Sequence, residues 1–95
     1  MWSAILAWTI RLTDTARKQL AKLDPQVARR ITKFLRVRLA QAEDPRILGR
    51  ALTVEELGEY WRYRVGDYRI LCDIRDAELV ILTLAIGHRR EIYRE

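Results

Sequence analysis

The amino-acid sequence predicts an α+β domain: an N-terminal strand, a helical hairpin, then a three-stranded antiparallel meander that completes a four-stranded sheet. Three observations carry this expectation. Apolar residues alternate with period two near the amino terminus, recur at helical spacing between residues 16 and 39, and give way to aromatic and branched runs from Tyr60 onward. Ninety-five residues supply one hydrophobic core, so a single domain over residues 1–95 is expected, with one site to look for.

The first strand is read from Trp8, Ile10 and Leu12 alternating with Thr9 and Arg11. Thr13 and Asp14 then offer capping oxygens to a helix in which Ala16, Leu20 and Leu23 share a face and Arg17, Lys18 and Lys22 turn outward. Asp24-Pro25 restarts the pattern, because proline in the first helical position gives up no donor the helix needs. Val27, Ile31, Phe34, Leu35 and Leu39 form the second apolar stripe, with Arg29, Arg30, Lys33, Arg36 and Arg38 around it, and Asp44-Pro45 ends the helix. The two stripes predict a packed hairpin.

Residues 46–59 contain Gly49 and Gly58 and keep no period, so they read as a loop with a turn of helix near residues 54–57. Residues 60–65 and 68–74 read as strands joined by the two-residue turn Gly66-Asp67. Residues 79–86 are apolar on both faces and read as an interior strand.

Eighteen Lys and Arg against thirteen Asp and Glu give a formal charge of +5, which favours a polyanionic partner first and an acidic protein second. Basicity alone is as common in proteins without an anionic ligand, so position has to decide. A lone cysteine, Cys72, excludes an intramolecular disulfide and a multi-cysteine zinc site and suits a reducing cytoplasm. Residues 1–10 are apolar but short and lack a basic leader, so they read as neither signal peptide nor membrane span. No glycine-rich phosphate loop, paired-histidine helix, or Ser or Cys beside a base is present, and Ser3 and Cys72 read as structural.

Counting back from the Gly66-Asp67 turn sets Val65 opposite Tyr68, Arg64 opposite Arg69, Tyr63 opposite Ile70 and Arg62 opposite Leu71. Parity then puts Trp61, Tyr63, Val65, Tyr68, Ile70 and Cys72 on the side that meets the helices, and Arg62, Arg64 and Arg69 on the other. Like charges directly opposite are unfavourable, so this face calls for an anion or open water. Solvation with Asp73 and nearby acids as counterions is the competing reading. After the last strand, Gly87-His88-Arg89-Arg90-Glu91-Ile92-Tyr93 adds an imidazole, two guanidiniums and a phenol in one short stretch. Guanidiniums pair with phosphate oxygens, imidazole moves protons near neutral pH, and tyrosine stacks on bases. Alone, such a histidine is more often structural than catalytic, and a terminal tyrosine more often a packing anchor.

The run Trp61-Arg62-Tyr63-Arg64-Val65-Gly66-Asp67-Tyr68-Arg69-Ile70, followed by Ile86-Gly87-His88-Arg89-Arg90-Glu91-Ile92-Tyr93, resembles the RelE branch of the RelE/ParE toxin superfamily. The likeness extends over most of the chain. It implies a RelE-like microbial RNase fold and the toxin of a type II toxin–antitoxin system, a cytoplasmic endoribonuclease that enters the ribosomal A site and cleaves mRNA without a metal or other cofactor. It also implies an acidic RelB-like antitoxin that covers the toxin in a hetero-oligomer. Carried over by position, Arg62 and Arg64 stand where RelE-like toxins place basic residues beside the scissile phosphate, Arg69 where an arginine binds it, Arg89 where another stabilises charge near the leaving group, and Tyr93 where a tyrosine orients the base.

His88 falls at a position that is basic in related toxins and Arg90 adds to RNA binding, which makes Arg62, Arg64, Arg69, His88, Arg89 and Tyr93 the candidate catalytic set. RelE toxins with lysines at the two positions held here by Arg62 and Arg64 differ in one chemical respect: a guanidinium stays protonated and is a poor general base. Either His88 moves the proton, or geometry and charge supply most of the acceleration with help from the ribosome. Two rival functions remain, a ParE-like inhibitor of DNA gyrase and a non-catalytic RNA-binding module. The second requires Trp61 and Tyr63 to face solvent.

Overall fold

The computed structural model describes residues 7–54 and 58–88. A five-stranded sheet, ordered β1-β5-β4-β3-β2, carries the helices on one face. Strand β1 (Thr9–Leu12) runs parallel to β5 (Val80–His88), and β5, β4 (Tyr68–Arg75), β3 (Gly58–Val65) and β2 (Arg50–Val54) pair antiparallel in turn. The α+β class is as the sequence predicts, with one strand more than the four expected.

That strand is β2, which replaces the expected loop over residues 46–59. A 3₁₀ turn (Pro45–Leu48), capped by the Asp44 carboxylate accepting from the Arg46 N–H at 3.1 Å, delivers the chain to Arg50, from which a ladder with β3 runs Arg50–Arg62 through Val54–Gly58. Five residues between a glycine and two glutamates carry too little periodicity to show as a strand. The partner strand provides the hydrogen bonds that define it. Val54 belongs to β2, and the rest of the expected helical turn, residues 55–57, lies outside the described residues.

Helix α1 (Asp14–Ala21) is capped as expected: Thr13 Oγ1 accepts from the Ala16 N–H at 3.1 Å. The same hydroxyl donates to the Leu84 carbonyl at 3.0 Å, and Gln19 Oε1 accepts the Ile86 N–H at 2.7 Å, so α1 satisfies the edge of β5 beyond the end of β1. Helix α2 (Pro25–Lys33) starts at the proline but stops being α-helical earlier than Asp44. It continues as a π-helical segment (Phe34–Leu39), in which the wider turn keeps Leu35 and Leu39 buried in line with Ile31.

The core between helices and sheet is built from Ala16, Ile31, Leu35, Leu39, Tyr63, Ile70, Cys72, Ile81 and Ile86. Strand β5 is interior, as its apolar composition predicts. Its ladder with β4 slips one residue between Leu71–Ala85 and Cys72–Thr83, and this bulge moves the inward positions from Ile81 and Thr83 to Ile86 and His88. No helix among the described residues is long and apolar enough to cross a membrane.

Candidate functional site

The hairpin register is the one obtained by counting from the turn: Val65–Tyr68, Arg64–Arg69, Tyr63–Ile70 and Arg62–Leu71. Tyr63, Ile70 and Cys72 are buried on the helix side, which sends Arg62, Arg64 and Arg69 to the open face of the sheet. Strand β2 sets Arg50 opposite Arg62 and so adds a fourth guanidinium to that face. Arg50, Arg62, Arg64 and Arg69 together line one recess of about 520 Å³, walled on the far side by Ile47, Leu48 and Gly49. Two neighbouring cross-strand pairs, Arg50–Arg62 and Arg64–Arg69, are thus like-charged, each disfavoured by roughly 0.2–1 kcal/mol.

The support beneath the recess explains why these side chains converge. The Tyr63 hydroxyl donates to the Pro45 carbonyl at 2.8 Å and its ring packs against Phe34 with centroids 5.8 Å apart, fixing the 3₁₀ turn against β3. Burial pushes the Tyr63 phenol pKa upward, so it stays a neutral donor. Gly49 lies against that ring: a Cβ there would come 2.6 Å from Tyr63 Cε1 and 2.7 Å from the Arg62 carbonyl oxygen. Only a residue without a side chain lets β2 approach closely enough to present Arg50.

Arg69 is only 7% exposed although it stands on the open face. Its Nη1 donates to the carbonyls of Tyr68 at 3.3 Å and Gly66 at 3.5 Å, which turns the guanidinium along the hairpin. Gly87 of β5 is its partner on the other side, leaving space where any other residue would carry a side chain. Gly66 itself has φ +60°, the left-handed geometry a tight two-residue turn requires.

Asp73, the acid named as a counterion, has another partner among the described residues. Asp73 pairs with Arg75 at 3.2 Å, and Asp44 and Asp76 pair with Arg46, whose guanidinium also lies 5.8 Å from the Trp61 ring centroid. The hydrogen bond from Arg46 lowers the Asp76 pKa, and the same bond raises that of Arg46.

The structure does not bring His88 to this face. It pairs with Tyr68 across β4 and β5, on the helix side, with the two rings edge to face at 5.6 Å and 79°, and it borders a groove with Gln19, Lys22 and Leu23. The expectation that His88 acts beside the arginines is therefore corrected: Gly87 is on the arginine face, and the next residue necessarily points away. Arg89, Arg90 and Tyr93 lie outside the described residues. Arg50 is the site residue that sequence reading missed. Its only signal is parity with Arg62, legible once β2 is recognised as a strand.

Comparison with known proteins places this geometry. Residues 10–93 match the family model for the ParE toxin of the type II toxin–antitoxin system parDE. The chain belongs to the RelE/ParE family of type II toxins. It is 34% identical over 89 residues to the toxin RelG of Mycobacterium tuberculosis, covering 94% of this chain and 99% of that protein. Among solved structures, the toxin–antitoxin complex RelBE2 of the same organism matches with a TM-score of 0.79 and 31% identity over 93% of this chain and 98% of that one. The RelE–RelB complex of Pyrococcus horikoshii OT3 matches with a TM-score of 0.68 and 25% identity over 87% of this chain and 96% of that one. The family resemblance read from the hairpin and tail motifs thus holds.

Proposed function

We propose that this toxin is a ribosome-dependent endoribonuclease that cleaves mRNA in the A site, and that the recess on the open sheet face receives the scissile phosphodiester. The observation that carries this reading is the convergence of Arg50, Arg62, Arg64 and Arg69 on one 520 Å³ recess, where two like-charged cross-strand pairs set four guanidiniums suited to binding a phosphate. The reaction is attack of a ribose 2′-oxygen on the adjacent phosphorus, with departure of the 5′-oxygen, leaving a cyclic phosphate and a free 5′-hydroxyl.

One proton leaves the 2′-hydroxyl and one reaches the 5′-oxygen. The arginines do neither, because they remain protonated; they hold the phosphate in line and neutralise the pentavalent transition state. With His88 on the other face, positioning and charge are the chain's main contribution, and the proton acceptor comes from water or the ribosome. Arg89, two residues after Gly87, and Tyr93 complete the site in the roles the family implies, with Arg90 as a further RNA contact. An acidic RelB-like antitoxin silences the toxin by covering this basic chain.

A non-catalytic RNA module with outward aromatics is disfavoured, since Tyr63 is 1% exposed and Trp61 packs on the core. The deciding experiment is cleavage of mRNA on programmed ribosomes beside a gyrase supercoiling assay. Arg69→Ala and Arg89→Ala should abolish both toxicity and cleavage, while His88→Ala should leave cleavage within a few-fold. Full cleavage by both arginine variants, or inhibition of gyrase instead, overturns the reading.

A further inference from the structure

We propose that the RNA strand continues from the recess into a second phosphate subsite around the corner of the sheet, formed by Arg30, Lys33 and Arg38 together with Arg64. This rests on the nuclease reading above and names where the neighbouring nucleotides go. The β2–β3 ladder ends at Arg50–Arg62, so residues 63–65 of β3 continue past the last β2 partner and Arg64 stands where the open face meets the helical layer. Arg64 lines both the recess and a second cleft of about 460 Å³ between the hairpin turn and the helical segment that runs from α2 into the π-helix.

That cleft has the composition of a single-strand RNA site. Arg30, Lys33 and Arg38 are exposed, Val37 is 48% exposed, and the half-buried Phe34 ring forms an apolar floor on which a base can rest. Arg30 reaches the hairpin turn, its Nη1 lying 3.3 Å from where a Cβ on Gly66 would stand, so this guanidinium borders the cleft beside the turn. Four cations around one cleft repeat the crowding of the recess, and one shared arginine joins the two. A polyanion with a charge on every nucleotide satisfies both at once. An acidic amphipathic helix is better suited to the adjoining groove between α1 and α2, which shares Lys33 and Val37 with the cleft but adds apolar walls from Leu20, Leu23 and Ala28 beside Arg17, Arg29 and Arg36.

The test uses ribosomes programmed with mRNAs that carry either natural phosphodiesters or one neutral methylphosphonate at each of three linkages on either side of the scissile bond. Wild-type toxin is compared with the double variant Arg30→Ala/Arg38→Ala, with thermal melting to confirm folding and Arg30→Lys/Arg38→Lys as a charge-retaining control. The alanine variant should raise KM about ten-fold with kcat nearly unchanged, the size of losing a charge-assisted phosphate contact. That penalty should vanish on the substrate neutralised at one particular flanking linkage, and the lysine variant should recover most of the affinity. Absence of cleavage by wild type overturns the nuclease reading itself. Cleavage by wild type with no penalty in the alanine variant overturns the subsite alone. So does a penalty equal on every substrate, which assigns these cations to ribosomal RNA or to a protein partner.

Discussion

Replacing Arg64 by glutamine should make the free protein more stable and the toxin less active. Arg64 is exposed, faces Arg69 directly, and lies two residues from Arg62 on the same strand face. Removing one member of a directly opposed like-charge pair relieves about 0.2–1 kcal/mol, and Arg62 on the same strand with Arg50 diagonally across place the gain in the upper half of that range. For a domain of this size about 1 kcal/mol moves Tm by roughly 4–8 °C, so an increase of about 2–8 °C is expected in low-salt buffer. In 1 M salt the screening length falls to about 3 Å and the gain should disappear. Arg69→Gln is the internal control. That guanidinium is buried and donates to two carbonyls, so its loss should lower Tm even though the same repulsion is relieved. Differential scanning calorimetry of the three proteins at two salt concentrations, with ribosomal mRNA cleavage in parallel, reads both signs. A fall in Tm for Arg64→Gln, or a gain that salt does not touch, would refute the claim that this face is electrostatically strained.

Gly49→Ala should cost about 1–3 kcal/mol, because its methyl group meets the Tyr63 ring and a backbone oxygen at under 3 Å, and the 3₁₀ turn is tied to that same tyrosine. An unchanged melting temperature would argue against the close approach of β2. Cys72 is fully buried and its thiol is pushed up to about 12 by burial, so at pH 8 the thiolate is roughly one part in ten thousand. Alkylation of the native protein should therefore proceed no faster than unfolding and become rapid in denaturant; quick native labelling would sink this. Asp76 has its pKa lowered below 3.8 by the hydrogen bond from Arg46. A lowered carboxylate contributes stability above its unfolded value and loses it as pH falls through the folded one. Melting curves of wild type and Asp76→Asn should therefore diverge above about pH 4 and converge in stronger acid, by a small amount because the pair is exposed. Parallel curves throughout would show that the pair contributes nothing.

What the sequence made legible follows the range of the interactions involved. The β3–β4 hairpin could be registered residue by residue because Gly66-Asp67 fixes the turn length, and turn length fixes every later pairing. The start of α2 was equally local, written in Asp24-Pro25. By contrast, β2 exists only because β3 is beside it and its five residues keep no period of their own, while the π-helical segment lies inside an apolar stripe whose spacing reads equally as α-helix. The place of His88 is hidden for a related reason. It is adjacent in sequence to residues with phosphate chemistry, but adjacency along a strand means opposite faces, and the bulge between Leu71 and Cys72 sets which of Gly87 and His88 turns inward.

The same parity argument bears on chemistry. Strand β5 can present either Gly87 or His88 to the arginine face, and it presents the residue with no side chain. Were the register shifted by one, an imidazole would stand beside Arg69, close enough to compete with a phosphate for the space that Gly87 leaves open. The fold therefore keeps the imidazole among Tyr68, Gln19 and Lys22 on the helix side and lines the recess with guanidiniums. On the function proposed above, a site built this way holds and orients a phosphate. On the proposed reading, proton transfer is then left to whatever surrounds the RNA, which would be the physical reason for the proposed ribosome dependence.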